Sequence, residues 1–290
     1  MKIGVVFPQT EIGNDPAAIK AYAEAVENMG FAHILVFDHV LGANPERPGG
    51  WKGPYTYRHG FHEPFVLFGF LAAATRRVEL VTGIVILPQR QTALVAKQAA
   101  AVDVLSGGRL RLGVAVGWNP VEFEALGENF STRGKRIEEQ IEVMRALWTR
   151  ELVTFEGKHH RIPDAGINPL PVQRPIPVWM GGESEVVQRR MARIADGWMP
   201  HFRPGAPAQV VVARIHGLVR DAGRDPKTFG IEGRIALSQI PQADWSKEME
   251  AWRAMRGISH LCVHTGGLGL AKPADHVATL RRFREVVGLK

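Results

Sequence analysis

Polar side chains suited to chemistry occur directly after stretches that read as buried strands. Asp38 and His39 follow the apolar segment His33–Phe37. Imidazole titrates near neutral pH, so His39 could donate or accept a proton during a reaction. Asp38 could orient His39 or contact a bound ring. For both side chains the alternative is a purely structural role, as a hydrogen-bonding group of a loop or a helix cap.

A second group combines glycine with the start of a predicted helix. It consists of Met180, Gly181, Gly182, Glu183 and Ser184. Two glycines let the backbone approach a ligand closely, and amides at a helix N-terminus suit a phosphate. A tight turn that merely uses glycine is the alternative. After the next predicted strand, His201 and Arg203 could complete an anion pocket.

Other reaction types lack their signatures in this sequence. The HExxH, GxSxG and GxxxxGK[ST] patterns do not occur, so no motif indicates a metalloprotease, an esterase or a nucleotidase. No lysine follows a predicted strand, which disfavours Schiff-base chemistry. His159 and His160 are adjacent and would point to opposite faces of a strand, while His59 and His62 have no third ligand nearby. The sequence therefore predicts no metal site.

The elements that must position these residues alternate between strand and helix along the whole chain. Such alternation predicts a parallel sheet, and eight repeats predict a closed (β/α)₈ TIM barrel of the α/β class. A dinucleotide-binding sheet would need glycines after the first strand, where Pro8 and Gln9 stand. The predicted strands are Ile3–Pro8, His33–Phe37, Val78–Ile86, Arg109–Val116, Val178–Met180, Asp196–Met199, Phe229–Leu237 and Ile258–His264.

Two segments interrupt the alternation. Val40–Phe61 is rich in Gly, Pro and aromatic residues, and we interpret it as a long loop after the second strand that covers a site. Residues 152–177 contain a hairpin pattern around Glu156-Gly157 and then a proline-rich stretch, which we interpret as an insertion before the fifth strand. We expect residues 1–290 to form one domain.

A barrel restricts chemistry to the C-terminal ends of its strands. Trp118 follows Gly117 at the end of the fourth strand, Arg234 lies near the end of the seventh, and His264 ends the eighth. By contrast, the Ser106-Gly107-Gly108 turn enters the fourth strand from the opposite end. That turn predicts a helix terminus and not a ligand site.

Composition narrows the class of protein further. The chain has 290 residues, 45% hydrophobic and 22% charged, which is typical of globular proteins. No apolar stretch has the length of a membrane span, and the first residues enter a strand instead of a signal peptide, so the sequence predicts a cytoplasmic protein without a membrane partner. The single Cys262 agrees with a reducing compartment and predicts a small buried strand residue.

The net charge is +7, and the lysines and arginines occur singly or in pairs, mostly on predicted helices, without a long basic run or interleaved aromatic residues. The distribution disfavours nucleic acid and indicates solvated helix faces. A small anionic ligand is the remaining reading, because a positive field would assist its approach.

Several motifs together resemble the luciferase-like monooxygenase superfamily, in particular its branch dependent on the deazaflavin coenzyme F420. They are the TGI of the third strand, the long block LVAKQAAAVDVLSGGRLRLGVAVGW, and then EFEALG, FSTRGKRIEEQIEVMRALW, PVWMGGES and ADGWMP. The resemblance covers nearly the whole chain from Lys2 to about Pro200. It implies a (β/α)₈ barrel that binds a flavin or deazaflavin at the C-terminal ends of its strands.

The resemblance also implies roles for individual residues. Asp38 and His39 match a pair that faces cofactor and substrate, and the Gly83-Ile84 bond matches a cis peptide against the central ring. Trp118 lies where an active-site residue projects from the fourth strand. One sugar-phosphate dehydrogenase branch has a glutamate at this place, and the tryptophan here makes a sugar phosphate a doubtful substrate. The positions expected to bind the cofactor are Asp38, Thr82, Gly83, Ile84, Met180, Gly181, Gly182, Glu183 and His201.

The activity implied is hydride transfer between coenzyme F420 and a small organic substrate, with His39 managing one proton. One alternative is an FMN-dependent monooxygenase that receives reduced flavin from a separate flavin reductase. Another is a non-catalytic flavin-binding barrel. The family habit implies a homodimer.

Overall fold

The computed structural model describes residues 1–289 and contains eleven strands and nine α-helices. The strands are β1 (Lys2–Val6), β2 (His33–Val36), β3 (Glu79–Thr82), β4 (Val85–Ile86), β5 (Leu110–Ala115), β6 (Val153–Glu156), β7 (Arg161–Ala165), β8 (Val178–Gly181), β9 (Gly197–Met199), β10 (Gly230–Ala236) and β11 (His260–His264). The helices are α1 (Pro16–Asn28), α2 (Pro64–Ala74), α3 (Thr92–Ser106), α4 (Pro120–Ala125), α5 (Arg133–Thr149), α6 (Glu185–Ile194), α7 (Ala206–Asp221), α8 (Trp245–Ala254) and α9 (Pro273–Val286).

The strands close into a parallel barrel. The pairing runs β3-β2-β1-β11-β10-β9-β8-β5, and β3 also pairs with β5, which closes the ring. Every pairing in this ring is parallel. The predicted (β/α)₈ barrel is therefore confirmed. Its strands are buried on both faces, because helices cover the outside and side chains fill the inside.

The third barrel position differs from the prediction of one continuous strand Val78–Ile86. It is broken into β3 and β4, and both pieces pair with β5. Leu80 lies opposite Leu110 whereas Val85 lies opposite Val114, so the segment between them holds one residue more than its partner strand. Such a bulge turns the local backbone out of the ladder at the rim of a barrel.

Local hydrogen bonds and a glycine set the helix ends, and the predicted helix terminus at Gly107 is confirmed. The carboxylate of Asp15 accepts a hydrogen bond from the Ala17 amide at 3.0 Å and caps α1. Asn119 caps α4 in the same way, accepting from Val121 at 3.0 Å. Gly107 ends α3 with φ 71°, a left-handed conformation that glycine adopts without a steric penalty.

The insertion before the fifth barrel strand is confirmed as a hairpin followed by an irregular segment. Strands β6 and β7 pair in an antiparallel ladder, and a coil leads from β7 to β8. The long loop after β2 contains no helix and only one isolated bridge, between Ala43 and Thr56. Its aromatic residues nevertheless pack over the mouth of the barrel, as described below.

The N-terminal end of the barrel interior is filled by buried charged side chains. Glu232 of β10 lies 2.7 Å from Nε2 of His33 and 2.5 Å from Nη1 of Arg111. The guanidinium of Arg111 also lies over the Trp179 ring at 4.3 Å. Cys262 is fully buried beside them, as predicted from the sequence. Because the carboxylate of Glu232 pairs with both His33 and Arg111, these groups act as a structural plug at the end of the barrel opposite the site.

Within residues 1–289, no helix combines the length and the apolar composition that crossing a bilayer requires.

Candidate active site

A cavity of about 350 Å³ opens at the C-terminal mouth of the barrel. It lies between the ends of β2, β4, β5, β8, β9 and β10, where a barrel carries its active site. Most of the site residues expected from the sequence line it together. These are Asp38, His39, Gly83, Ile84, Trp118, Gly181, Gly182 and His201.

His39 is held by a carboxylate from the neighbouring strand-end segment. Its Nδ1 lies 3.1 Å from Oε1 of Glu122, and the side chain of Glu122 is fully buried. The same oxygen accepts the amide of Val40 at 3.0 Å, and Gln89 donates to the other oxygen at 3.4 Å. Glu122 lies in the first turn of α4, so the short helix delivers the carboxylate to the mouth of the barrel.

This contact defines the chemistry that His39 can perform. A carboxylate only accepts hydrogen bonds, so Nδ1 of His39 carries the proton that is donated to Glu122. Nε2 then has a free lone pair in the neutral ring, and among residues 1–289 it meets no hydrogen-bond partner. His39 can therefore take a proton at Nε2, and Glu122 stabilises the imidazolium that results.

Asp38 points away from His39, although the two residues are adjacent. Its Oδ2 accepts the Ile86 amide at 3.0 Å, and its Oδ1 accepts from Arg90 at 2.8 Å. Arg90 also pairs with Glu63 at 2.8 Å. Burial raises the pKa of the Asp38 carboxyl, and the Arg90 guanidinium opposes that shift. The possible role of Asp38 in orienting His39 is thus taken by Glu122, while Asp38 anchors the loop that follows β4.

The Gly83-Ile84 peptide bond is cis, as the sequence resemblance implied. Both residues line the cavity at the bulge between β3 and β4. A Cβ atom at Gly83 would lie 2.2 Å from Cδ2 of Leu35, so only glycine fits between this backbone and β2. The bulge therefore brings main chain, without a side chain at Gly83, to the wall of the cavity.

The glycine pair at the end of β8, Gly181 and Gly182, lines the same cavity next to Ile84. Gly182 has φ 117°, a conformation rarely accessible to other residues. Its carbonyl accepts a hydrogen bond from Nε1 of Trp198 at 2.8 Å, which fixes the turn. Ser184 then leads into α6, whose first amides lack partners within the helix. These amides could hold a phosphate.

Three predicted cofactor residues lie outside the cavity lining. Thr82 is fully buried and donates its hydroxyl hydrogen to the Gly113 carbonyl at 2.7 Å. Met180 is fully buried in the core. The carboxylate of Glu183 accepts the His201 amide at 2.8 Å, joining the loops after β8 and β9. In this structure their contacts support the neighbouring backbone.

Aromatic rings enclose His39 on several sides. The ring centroids of Tyr55 and Phe61 each lie 4.9 Å from that of His39, and the Trp118 centroid lies at 5.7 Å. Trp51 packs against Trp118 at 5.8 Å and donates Nε1–H to the Tyr55 carbonyl at 2.7 Å. The loop after β2 thus serves as a cover over the site, as predicted.

The residues that sequence reasoning missed all act across long sequence distances. Glu122 was visible only as part of the EFEALG motif, and nothing local linked it to His39, 83 positions earlier. Arg90, which pairs with Asp38, follows the end of β4 and carries no pattern of its own. Arg234 lies near the end of a predicted strand, but no local pattern indicates what it contacts.

Among residues 1–289, three potential metal-binding side chains come together in the plug of the barrel. Ligand atoms of His33, Glu232 and Cys262 lie within 4.8 Å of one another. However, Glu232 is already paired with His33 and Arg111, and the guanidinium of Arg111 disfavours a cation there.

Comparison with known proteins identifies the family. The model of the luciferase-like monooxygenase family matches residues 1–277. An uncharacterized protein of Mycobacterium tuberculosis is 38% identical over 212 residues, which cover 70% of this chain and 71% of the relative. An FMNH₂-dependent dimethylsulfone monooxygenase of Pseudomonas putida is 33% identical over 158 residues, covering 53% of this chain and 42% of the relative.

Solved structures show the same fold at lower identity. The monooxygenase RslO1 from Streptomyces bottropensis has a TM-score of 0.78 at 21% identity, covering 99% of this chain and 98% of its own. An F420-dependent secondary alcohol dehydrogenase has a TM-score of 0.76 at 18% identity, again covering 99% and 98%. Together with the match of the family model, these findings establish that the chain belongs to the luciferase-like monooxygenase family.

Proposed function

We propose that the protein transfers a hydride between coenzyme F420 and a small organic substrate bound at the mouth of the barrel. The observation that carries the proposal is the Glu122–His39 pair. It leaves Nε2 of His39 free in a cavity walled by aromatic rings. Reduction of a carbonyl or a related group needs one hydride and one proton. His39 supplies or removes that proton.

The cavity suits a planar cofactor that carries a phosphate. The backbone at Gly83 and Ile84 forms part of the cavity wall without a protruding side chain at Gly83, and Gly181 and Gly182 line the same cavity next to the start of α6. The first amides of α6 would hold the phosphate, and the cavity would hold the ring. When bound, a deazaflavin supplies a hydride donor or acceptor at its C5 atom. The structural likeness to an F420-dependent alcohol dehydrogenase over the whole chain supports this choice.

The second candidate is an FMN-dependent monooxygenase supplied by a separate flavin reductase. It is favoured by the similarity to an FMNH₂-dependent enzyme among the relatives. The phosphate site at α6 serves either cofactor, because both carry a phosphate at the end of a ribityl chain.

Equilibrium binding distinguishes the candidates. We expect purified protein to bind coenzyme F420 with a dissociation constant at least about tenfold below that for FMN, a difference of roughly 1.4 kcal/mol. Fluorescence titration of each cofactor measures both constants. Tight FMN binding with negligible F420 binding would transfer the proposal to the monooxygenase. Binding without hydride transfer to any of a panel of ketones, aldehydes and enones would indicate a non-catalytic barrel.

We also propose a homodimer formed through α2 and α3. Helix α2 (PFVLFGFLAAA) contains no charged residue and is apolar on all sides, yet Val66 is 73% exposed and Phe70 is 41% exposed. Leu94 on the adjacent α3 is 51% exposed. A helix that is apolar all round is normally buried, so a second copy of this chain is the expected cover.

Light scattering after size exclusion tests the dimer. We expect twice the chain mass for the wild type and the single-chain mass for Val66→Glu combined with Phe70→Glu, because two carboxylates cannot be buried unpaired in the interface. Val210→Glu on α7, which is 69% exposed, provides a matched control and should remain dimeric. A wild-type monomer at micromolar concentration would contradict the proposed interface.

A further inference from the structure

We propose that Arg234 binds an anionic group of the substrate, so that the natural substrates are small organic anions such as carboxylates. The inference rests on the proposed function, because it concerns what is held beside His39. It adds a second recognition point, on β10, to the cofactor-binding surface at β4 and β8.

Arg234 lies at the mouth of the barrel, in the lining of two cavities. It lines the cavity that contains His39, and it also lines an adjoining cavity of about 250 Å³ together with His264 and Gln239. Its guanidinium carbon lies 5.0 Å from the centroid of the Phe37 ring. The stacking leaves the edge of the guanidinium, with its N–H donors, available to a ligand.

The guanidinium of Arg234 differs from the other buried arginines of the barrel in having no carboxylate partner. Arg90 pairs with Asp38 and Glu63, and Arg111 pairs with Glu79 and Glu232. Arg234 makes no ion pair or side-chain hydrogen bond with any of residues 1–289. A half-buried charge without a partner is costly, so a site of this kind favours an anion that completes it.

The surroundings of Arg234 strengthen its preference for an anion. Burial lowers the pKa of His264 to about 4, and the charge of Arg234 contributes to the shift. Burial and Arg234 likewise lower the pKa of His201. Both rings are neutral hydrogen-bonding groups near pH 7. Glu248 lines the smaller cavity but forms no ion pair with Arg234, and Arg203 adds a second guanidinium to the same lining.

This anion site is separate from the phosphate site. The phosphate site consists of backbone at Gly181, Gly182 and the start of α6, whereas Arg234 acts through a side chain of another strand. Arg234 and His39 line the same cavity from β10 and from the end of β2. A substrate whose carboxylate binds Arg234 can therefore present another part of itself to His39.

Ligand-observed fluorine NMR with 4-fluorobenzoate and 4-fluorobenzyl alcohol tests the proposal, because the two probes differ mainly in charge. The purified full chain is titrated alone and with the saturating cofactor. We expect 4-fluorobenzoate to bind at least about tenfold more tightly than the alcohol, as expected for a charge-assisted hydrogen bond. We expect Arg234→Gln to lose this preference and Arg234→Lys to keep part of it. Arg161→Gln removes the same charge on the exposed hairpin and should behave as wild type.

Cofactor titrations of the same variants separate this proposal from the proposed function. An unchanged cofactor dissociation constant in Arg234→Gln, together with the lost preference for benzoate, supports a substrate site. If Arg234→Gln weakens cofactor binding at least about tenfold and leaves the benzoate preference intact, Arg234 belongs to the cofactor site and the proposal is wrong. Equal affinity of the wild type for both probes, or no binding of either, also overturns it, whichever cofactor the protein uses.

Discussion

Replacing His39 by alanine is expected to lower kcat by about 10²- to 10⁴-fold, the usual loss when an acid–base group is removed. The ring is held by Glu122 at 3.1 Å and offers Nε2 to the cavity, so its removal takes away a positioned proton donor or acceptor. Steady-state kinetics with the cofactor identified by titration measures the effect. Cofactor binding should remain within about threefold of wild type, because the proposed phosphate site lies on β8 and α6.

Glu122→Gln tests whether Glu122 positions His39 and sets its tautomer. The amide keeps the size of the side chain but removes the charge that favours the Nδ1–H tautomer and stabilises the imidazolium. We expect a smaller loss of kcat, about tenfold, together with a shift of the ring nitrogen resonances of His39 toward a mixture of tautomers. A purely structural contact would leave the tautomer signal unchanged. If His39→Ala turned over at the wild-type rate, His39 would lose its proposed role.

Replacing Glu232 by alanine is expected to lower the free energy of unfolding by about 3–5 kcal/mol, the range found when one partner of a buried ion pair is removed. The substitution leaves His33 buried without its carboxylate and Arg111 with Glu79 alone, at the end of the barrel opposite the site. Urea denaturation followed by circular dichroism measures the loss. Glu232→Gln, which keeps one oxygen acceptor, should lose less and remain folded if the alanine variant does not.

A matched control variant accompanies this experiment. Glu250→Ala removes an exposed carboxylate from α8 and should change the free energy of unfolding by less than about 0.5 kcal/mol.

Burial alone would raise the pKa of the Glu232 carboxyl, but Arg111 and His33 outweigh burial and hold the pKa well below its ordinary range. The contribution of the ionised Glu232 carboxylate to the free energy of unfolding is therefore complete above the unfolded-state pKa. It is lost as pH falls toward the folded-state pKa. The difference in the free energy of unfolding between the wild type and Glu232→Gln should accordingly become smaller below about pH 4. A gap of less than about 1 kcal/mol at neutral pH would show that the plug does not stabilise the barrel.

The amino-acid sequence by itself determined the barrel and the places where its loops lie. Strand and helix alternate in local patterns, and short-range signals mark the helix ends: Asp15 and Asn119 cap the starts of α1 and α4, and Gly107 ends α3. Once the barrel is known, every C-terminal strand end lies at the same mouth. The positions of Asp38, His39, Gly83 and Gly181 follow from this rule and from the family motifs.

Only the tertiary structure decided which of those groups interact. Asp38 binds Arg90 and the backbone of the broken third strand, whereas His39 receives its carboxylate from Glu122, far along the chain. The plug of His33, Arg111 and Glu232 joins three distant strands. In each case the physical reason is the same: strand order and register choose the neighbours across a closed barrel, and a local pattern carries no information about a partner 50 to 200 residues away.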